Sequence, residues 1–371
     1  MMPPGDGPAV IFVHSSNDMY GADRMLLRVL GALGPVIGPH TVLLPTDVPN
    51  SPDSLAAELD ATLTDVVFMD LPILRRSYLT PFGAMKLAKR SIALYQMFRK
   101  ERPSAVWCGT SAAVLAAVIA RVAGVRTVIL HNQEIWSGME RHVLGVLSMS
   151  VSHVVSVSSA AEGSLPGWLR RRSTIVTNAT ADVARVAPIP IEKPLSLLVA
   201  SRWNSWKGHR TLLLAWKEAK IEGRLLVAGG PPPGGKGIDV PEMARELNII
   251  DSIEIIGETS ELGAIIDRSH YLIVPSDEPE PFGLVAIEAF ARGRPVVGSE
   301  AGGLGGIIDH RVNGYKYPNK DYRALAEVLR SLSIDDAVAK SADARAKYLA
   351  TYSPSAFESV ILKAWGKING D

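Results

Sequence analysis

Short apolar runs rich in β-branched residues alternate with helical patterns along the whole chain. Several runs are continuously apolar, which is typical of parallel strands that helices cover on both faces. In the first half of the chain the runs lie at 9–14, 41–44, 66–70, 105–107, 127–131 and 154–157, and in the second half at 195–200, 224–228, 253–256, 271–274 and 295–298. The pattern therefore predicts two α/β domains, each built on a doubly wound parallel sheet.

The boundary between these domains is marked by residues 187–194, which contain three prolines and show no periodicity. Such a segment is typical of a linker. We predict a first domain over 1–187 and a second over 195–354, followed by a C-terminal helical pattern within 355–371. In sheets of this type ligands bind outside the carboxyl ends of the strands.

Composition narrows the class of protein. The chain has 371 residues, enough for two cores, and its hydrophobic fraction of 47% excludes intrinsic disorder. A net charge of +1 argues against a general nucleic-acid binder, which needs a basic excess. The single cysteine, Cys108, ends an apolar run and is expected to be buried and inert.

The N-terminus lacks the positive segment and long apolar core of a secretion signal, so we expect a cytoplasmic protein. The longest apolar stretch, 112–120, is too short to span a bilayer and is interpreted as a buried helix.

Two carboxylates eight positions apart are the most informative chemical feature. The apolar run 271–274 is followed by 275–282, which contains three prolines, and then by a helical pattern from Gly283. Glu280 therefore falls in the loop and Glu288 about one turn inside the helix. A helix start suits a phosphate, and carboxylates accept hydrogen bonds from sugar hydroxyls. The pair predicts a site for a nucleotide sugar.

Two cations follow the run 195–200, which is the first strand of the second domain. Arg202 can bind phosphate oxygens as a fork, and Lys207 adds a compact charge. Placed at a strand end, they would stabilise the negative charge that builds on a departing diphosphate.

The run Pro-Ser at 275–276, Glu-Pro-Phe-Gly-Leu at 280–284 and Glu-Ala at 288–289 matches the Glu-x7-Glu signature of the family-4 retaining glycosyltransferases. The chain resembles that family from end to end. The resemblance implies the GT-B architecture, with two Rossmann-like domains facing a central cleft and a last helix that crosses back onto the first domain.

The same resemblance implies roles for individual residues. Glu280 contacts the donor sugar, and Glu288 holds the ribose hydroxyls. The backbone of Phe282, Gly283 and Leu284 approaches the diphosphate. Arg202 and Lys207 match the family's Arg…Lys-Gly motif and inherit contacts with the diphosphate.

In the first domain, Gly21 and Ala22 resemble the family's glycine-containing loop, although a second glycine is common where this chain has Ala22. They are expected to contact the donor. His131, at the end of the run 127–131, resembles the family's active-site histidine, and we expect it to contact a sugar hydroxyl rather than act as a general base. Backbone groups near Ile256 are expected to recognise the nucleotide base.

Two glycine-rich runs do not match phosphate-binding motifs. The run 230–237 imitates a Walker A loop, but it has Gly237 in place of the hydroxyl residue and three prolines where amide donors are needed. The run 302–306 is expected to form a turn facing the cleft and supplies no carboxylate of its own. The chain contains no Asp-x-Asp motif, so we expect neither a metal nor another cofactor.

These features predict a retaining, metal-independent glycosyltransferase that uses a UDP- or GDP-linked sugar. The resemblance implies a glycan or lipid-linked acceptor in cell-envelope polysaccharide or glycolipid synthesis. A nucleotide-sugar 2-epimerase of the same fold and a non-catalytic nucleotide-sugar-binding subunit stay open as alternatives.

A basic stretch bears on the acceptor. Eight Lys or Arg residues but one acid, Glu101, lie between Arg75 and Arg102, with apolar residues interleaved at helical spacing. Such a stretch either contacts an anionic membrane surface or forms a core helix with a solvated basic face. The run 168–172, Trp-Leu-Arg-Arg-Arg, is a second candidate contact. The first possibility, membrane contact, would place the protein at the periphery of the inner face of the cytoplasmic membrane.

Overall fold

A computed structural model describes residues 10–48, 51–61, 64–75, 78, 80–232 and 237–370. The chain divides into two compact units, one formed by Met1–Asn178 with Phe357–Asp371 and the other by Ala179–Ala356. Each unit is built on its own parallel sheet. The predicted fold class, two Rossmann-like α/β domains, is confirmed.

Parallel strands with hydrophobic side chains on both faces form the sheet of the first unit. Its order in the described chain is β3-β2-β1-β4-β5-β6-β7. The strands are β1 Val10–Val13, β2 His40–Pro45, β3 Asp65–Met69, β4 Ala105–Cys108, β5 Thr127–Asn132, β6 His153–Ser156 and β7 Ser173–Ile175. The helices are α1 Gly21–Ile37, α2 Leu55–Ala61, α3 Pro81–Glu101, α4 Val114–Val122, α5 Gly138–Leu147, α6 Ser159–Ser164 and α7 Gly167–Arg170.

The second unit repeats this scheme with the sheet order β10-β9-β8-β11-β12-β13. The strands are β8 Leu195–Ala200, β9 Gly223–Ala228, β10 Ile253–Gly257, β11 Tyr271–Val274, β12 Val296–Ser299 and β13 Gly314–Tyr317. The helices are α8 His209–Ala219, α9 Val240–Glu246, α10 Leu262–Asp267, α11 Leu284–Ala291, α12 Leu304–Ile307, α13 Tyr322–Ser331 and α14 Ile334–Thr351. The C-terminal helix α15, Pro354–Asn369, begins here and continues into the first unit.

Every predicted strand is present with bounds within one or two residues of those expected. Strands β7 and β13 lie at sheet edges and are not predicted from the sequence. Strand β7 has three residues and is half-buried throughout, and β13 contains Gly314 and Lys316, so neither carries a continuously apolar run. Cys108 is buried in β4, and the stretch interpreted as a buried helix is α4 with the 3₁₀ turn Ser111–Ala113 before it.

The segment before β8 belongs to the second unit. The fully buried guanidinium of Arg294 donates hydrogen bonds to the carbonyl oxygens of Ala187 and Pro188. Arg345 pairs with Asp182 at 2.6 Å. These contacts explain why the compact unit begins at Ala179, whereas composition alone places the end of the first domain at 187.

Candidate functional site

The second sheet has a topological switch point between β8 and β11. From β8 the chain moves to β9 on one side, whereas β11 pairs with β8 on the other side and leads to β12. The connections that follow β8 and β11 therefore lead to opposite sides of the sheet, and ligands of doubly wound sheets bind at such a switch point. Lys207 lies in the first of these loops and Glu280 in the second.

The structure brings Lys207 and Glu280 together as a bidentate ion pair. The Lys207 ammonium donates to both carboxylate oxygens of Glu280, at 2.8 and 3.0 Å. The hydroxyl of Ser276, which is fully buried, donates to Glu280 Oε2 at 2.7 Å. The Lys207 ammonium also lies 4.1 Å from the centre of the Trp206 ring. The ion pair thus joins two side chains that the sequence assigned to different parts of the donor.

Glu280 is 8% exposed, and the Lys207 side chain is 19% exposed. A carboxylate in such a position is stable because charged donors compensate its loss of hydration. Ser276 was not singled out from the sequence, although it follows β11 by two residues in the same motif.

The two loops are held against each other through Gly208. This glycine has φ of 73°, and a Cβ atom there would clash with the carbonyl oxygen of Pro275. The backbone N–H of Asp277 donates to the Trp206 carbonyl at 2.8 Å, and the Thr211 hydroxyl donates to Asp277 Oδ1 at 2.7 Å. Glycine is therefore required next to Lys207 so that the loop after β8 can reach the loop after β11.

A third loop reaches Glu280 from the end of β12. Gly302, with φ of 71°, forms a parallel bridge with Glu280, and the Gly303 N–H donates to the Glu280 carbonyl at 2.6 Å. A side chain at Gly302 would collide with the backbone of Glu280. The glycine-rich run 302–306 therefore holds the backbone of Glu280, a role that its sequence did not reveal.

Helix α11 begins beside the Lys207–Glu280 pair. Its first residue is Leu284, one position later than predicted, because Gly283 has φ of 109° and cannot be helical. The N–H groups of a first helical turn lack intrahelical partners and attract anions. Glu288 is half-buried in the second turn of α11. Phe282 is buried and contacts the Tyr352 ring edge-on, with 5.9 Å between centroids.

Arg202 and Ile256 lie at the same edge of the sheet. Arg202 is half-buried, two residues after β8. Ile256 is half-buried in β10, next to Gly257, whose carbonyl accepts from the N–H of Gly229 at 2.7 Å. The structure thus places Arg202 after β8, at the switch point, and Ile256 two strands away in β10. The contacts of both residues with a nucleotide stay predictions.

In the first unit, His131 lies in β5 and is buried, with its ring edge-on to Trp107 at 5.7 Å between centroids. Burial, with a smaller contribution from the charge of His14, lowers the pKa of His131 to about 3. Its imidazole is therefore neutral at neutral pH. A neutral ring can exchange hydrogen bonds with a hydroxyl but is a weak base.

Gly21 and Ala22 open helix α1 and are half-buried. The carboxylate of Asp23 organises the loop before them. It accepts hydrogen bonds from the Ser16 hydroxyl at 2.6 Å and from the Tyr20 N–H at 3.1 Å. It also pairs with the fully buried ring of His14, at 3.0 Å.

The His14–Asp23 pair was missed in the sequence. An acidic residue at the third position of a helix is the signal for a capping box, and it could have identified Asp23. Nothing in the sequence pattern indicated that His14, nine residues earlier, would be its buried partner.

The basic stretch around α3 is less exposed than its composition suggested. Arg90 is 4% exposed and pairs with Asp47 and Asp70, while Arg75 also pairs with Asp47. These two arginines therefore do not belong to a solvated basic face, which corrects that part of the expectation. Arg76 lies outside the described residues, as do positions 233–236 of the Walker-like run.

Two properties of the described residues bear on cofactors and membranes. No group of three His, Cys, Asp or Glu side chains in that part of the chain is arranged to hold a metal ion. None of the described helices combines the length and the apolar character needed to cross a bilayer.

Comparison with known proteins connects this geometry to a family. Residues 184–349 match the family model for glycosyl transferases group 1, which covers the second unit almost completely. A curated relative, the D-inositol 3-phosphate glycosyltransferase of Corynebacterium urealyticum, is 32% identical over 169 residues. That match covers 43% of this chain and 39% of the relative, so the chain spans less than half of the relative's length.

Solved structures match over nearly the whole chain at lower identity. Anabaena Alr3699/HepE, in complex with UDP and glucose, has a TM-score of 0.78 at 18% identity and covers 97% of this chain and 100% of its own. A glycosyltransferase from Rickettsia africae has a TM-score of 0.80 at 18% identity, with 99% and 100% covered. The fold is therefore the one found in GT-B glycosyltransferases.

Proposed function

We propose that this protein transfers a sugar from a nucleoside-diphosphate sugar to a glycan or lipid-linked acceptor, with retention of the anomeric configuration. The observation that carries the proposal is the Lys207–Glu280 pair at the switch point of the second sheet, beside the start of α11. The family model matched by this same unit supports it. The UDP complex of the Anabaena neighbour favours UDP over GDP as the carrier.

In this proposal the donor separates the ion pair: its diphosphate becomes the partner of Lys207, and its sugar becomes the partner of Glu280. The diphosphate draws the Lys207 ammonium away from Glu280, and Arg202 adds a bidentate fork. The N–H groups at the start of α11 face the same phosphates, and Glu288 accepts hydrogen bonds from the ribose hydroxyls. Glu280 then accepts hydrogen bonds from the hydroxyls of the sugar, while Ser276 continues to hold its second oxygen.

The chemical step proceeds on one face of the sugar. The bond between the anomeric carbon and the phosphate oxygen breaks, and the acceptor oxygen bonds to the same carbon from the same side. The acceptor proton passes to the departing diphosphate oxygen. Lys207, Arg202 and the dipole of α11 stabilise the charge that grows on the diphosphate, in the role that a metal ion has in other transferases. His131, which is neutral, contacts a sugar hydroxyl.

We propose the cell envelope as the setting, with the reaction at the inner face of the cytoplasmic membrane. A glycan or lipid-linked acceptor in polysaccharide or glycolipid synthesis suits this setting. The Corynebacterium relative, a D-inositol 3-phosphate glycosyltransferase, is compatible with this class without defining the acceptor here.

The first test is a calorimetric titration of the whole chain with UDP, GDP and ADP, without added metal and then with magnesium. We expect UDP or GDP to bind and to raise the unfolding temperature as its concentration rises. Affinity that appears only with magnesium would contradict the metal-independent cradle. Failure of all three nucleotides to bind in either condition would overturn the proposed function.

The second test uses the sugar conjugate of whichever nucleotide binds. Glu280→Gln keeps the shape of the side chain and removes its charge, and the exposed Glu278→Gln in the same loop is the matched control. We expect Glu280→Gln to reduce release of the nucleotide from its sugar and Glu278→Gln to leave it unchanged. Isomerisation of the donor sugar without transfer would favour the 2-epimerase, and binding with no turnover would favour a non-catalytic subunit.

Retention is tested on the product of the active enzyme. The anomeric configuration of the new glycoside, read from its anomeric proton coupling by NMR, should match that of the donor. An inverted product would contradict the same-face mechanism while leaving the donor site intact.

A further inference from the structure

The Lys207 ammonium already has two partners within the second unit. An ammonium group carries three N–H donors. Lys207 donates to both carboxylate oxygens of Glu280, at 2.8 and 3.0 Å, and its nitrogen lies 4.1 Å from the centre of the Trp206 ring, within the range of a cation–π contact. A phosphate that binds Lys207 therefore has to displace one of these partners.

The partner that a phosphate displaces is Glu280 rather than Trp206. Phosphate and carboxylate oxygens compete for the same N–H donors, whereas an aromatic face attracts the positive charge through its ring electrons. The main chain of Trp206 is also fixed, because its carbonyl accepts a hydrogen bond from the Asp277 N–H at 2.8 Å. Trp206 thus keeps the ammonium at the site while Lys207 changes from one anion to the other.

Glu280 cannot follow Lys207 when the pair separates. Its carbonyl accepts a hydrogen bond from the Gly303 N–H at 2.6 Å, and Gly302 forms a bridge with its main chain. The buried hydroxyl of Ser276 holds Glu280 Oε2 at 2.7 Å. Because Glu280 is 8% exposed, little water can replace the hydrogen bonds that Lys207 withdraws. The carboxylate is then left with an incomplete set of donors, which is unfavourable for a buried charge.

Two kinds of ligand therefore have different effects on Glu280. A free nucleoside diphosphate binds Lys207 and supplies nothing to the carboxylate. A nucleoside-diphosphate sugar binds Lys207 and also brings sugar hydroxyls, which donate hydrogen bonds to Glu280. A site with a buried polar group discriminates against the ligand that leaves this group unpaired.

We propose that the Lys207–Glu280 pair makes the donor site discriminate against the free nucleoside diphosphate and so promotes its release after transfer. Once the sugar has left with the acceptor, Glu280 lacks the hydroxyl donors of the sugar. Its carboxylate then competes with the diphosphate for Lys207, and the nucleotide dissociates as the ion pair forms again. This inference rests on the proposed donor site and adds to it a selectivity between substrate and product.

The test compares the wild-type chain with Glu280→Gln by calorimetric titration. The ligands are UDP and UDP-glucose, or GDP and GDP-mannose where GDP is the nucleotide that binds, together with inorganic pyrophosphate. We expect the variant to bind the nucleotide and pyrophosphate about tenfold more tightly or better, because no charge-assisted hydrogen bond to Glu280 has to be broken. Its affinity for the sugar conjugate should rise less or fall, because a neutral amide is a weaker acceptor for the sugar hydroxyls.

The dissociation rate of the nucleotide is the second readout. In stopped-flow displacement of a fluorescent analogue of UDP or GDP, Glu280→Gln should slow dissociation by a similar factor, since affinity differences between related complexes lie mostly in this rate. Glu280→Ala should change the affinity for the nucleotide in the same direction. Unfolding temperatures should show that each variant is folded.

Two controls separate the ion pair from a general change of charge. Glu278→Gln removes the same charge from an exposed position in the same loop and should leave the affinity for the nucleotide unchanged. In the background of Lys207→Met, Glu280→Gln should no longer raise this affinity, because the variant has no ammonium to release. A comparable increase in either control would indicate simple repulsion between a carboxylate and the phosphates, and it would overturn the proposal.

Two results for Glu280→Gln itself would also overturn the proposal. One is an affinity for the nucleotide that is unchanged or lower than that of the wild-type chain. The other is an equal increase for the nucleotide and its sugar conjugate. Either result, obtained with a wild-type chain that binds nucleotides, would leave the proposed function standing. A wild-type chain that binds none of them would overturn the proposed function and this inference together.

Discussion

The carboxyl edges of the two sheets place different polar groups around the candidate site residues. In the second unit a charged pair, Lys207 and Glu280, is partly exposed and surrounded by three glycine-containing loops. Around the candidate residues of the first unit, the polar groups are the buried imidazoles of His14 and His131 and the carboxylate of Asp23, which serves the local loop. The charged cluster of Asp47, Asp70 and Arg90 lies after β2 and β3 instead. The carboxyl edge of the sheet in the first unit suits neutral hydroxyl groups. The carboxyl edge in the second unit suits an anion that can replace Glu280 as the partner of Lys207.

This difference also explains why the family model matches the second half of the chain. An anion site needs a cation, a carboxylate and glycines at defined spacings, because the backbones must approach closely. The family model accordingly matches 184–349, within the second unit. A site for neutral hydroxyls can be built from many side chains, so the first unit carries a weaker signature.

The largest effect should come from removing the cation of the second unit. Lys207→Met keeps the length of the side chain but cannot stabilise a departing diphosphate. We expect kcat/KM for donor turnover to fall by about 10²- to 10³-fold, the usual cost of losing one preorganised donor to a developing charge. Steady-state assays of nucleotide release measure this.

The control for this prediction is Lys217→Met, an exposed lysine on the neighbouring helix α8. It should have no effect on turnover. Lys207→Met should also lower the unfolding temperature, because Glu280 would remain buried without its ion-pair partner. A variant with normal turnover would show that the ion pair is structural and would remove the main contrast between the two units.

How much of this contrast the sequence could predict depends on the distance along the chain between interacting groups. Glu280 and Lys207 were found because each lies in a local motif at a strand end. Their direct pairing joins positions 73 residues apart and could be seen only once β8 and β11 were neighbours. The support from Gly302 was missed for the same reason.

The next largest effect should come from Gly208. Gly208→Ala places a side chain at φ of 73° and against the Pro275 carbonyl. The positive φ alone costs roughly 1 kcal/mol, and the clash should raise the total loss of stability to about 2–3 kcal/mol. Nucleotide affinity should fall with it, because the loops after β8 and β11 can no longer meet. Chemical denaturation and calorimetric titration measure the two effects.

Gly31→Ala in α1 is the matched control from the first unit. A Cβ atom there meets no other group, and the position is inside a helix. We expect a gain of about 0.5–1 kcal/mol in stability and no change in nucleotide affinity. Equal losses in both variants would mean that close loop approach is not specific to the second unit.

Asp23→Asn tests the first unit by itself. The amide can keep one of the hydrogen bonds of Asp23 but loses the charge that faces the His14 ring. We expect a loss of about 1–2 kcal/mol in the stability of the first unit, since Asp23 holds Ser16, Tyr20 and His14 together. The affinity for UDP or GDP, measured by calorimetry, should change little. A fall in nucleotide affinity as large as that in Gly208→Ala would contradict the division of roles.

The smallest effect near neutral pH is a pH dependence that each unit owes to its own buried histidine and that grows only on acidification. Burial lowers the pKa of His131 to about 3, and burial with the nearby charge of Lys207 lowers that of His209 to about 4. Both lie below the value of about 6.5 in an unfolded chain, so on acidification the unfolded chain binds protons first. Stability should therefore fall below about pH 6.5, by up to about 1.4 kcal/mol per histidine and pH unit, until the folded pKa values are reached.

Variants of the two histidines measure this pH dependence separately in each unit. His131→Gln should reduce the slope of unfolding free energy against pH for the first unit, and His209→Gln should do so for the second. If calorimetry resolves two unfolding transitions, each variant should change the slope of one of them. Because both rings are desolvated, this property is shared between the units, whereas the Lys207–Glu280 pair at the switch point belongs to the second unit alone. Unchanged slopes in both variants would show that the rings are accessible to solvent, and His131 would then be free to act as a base.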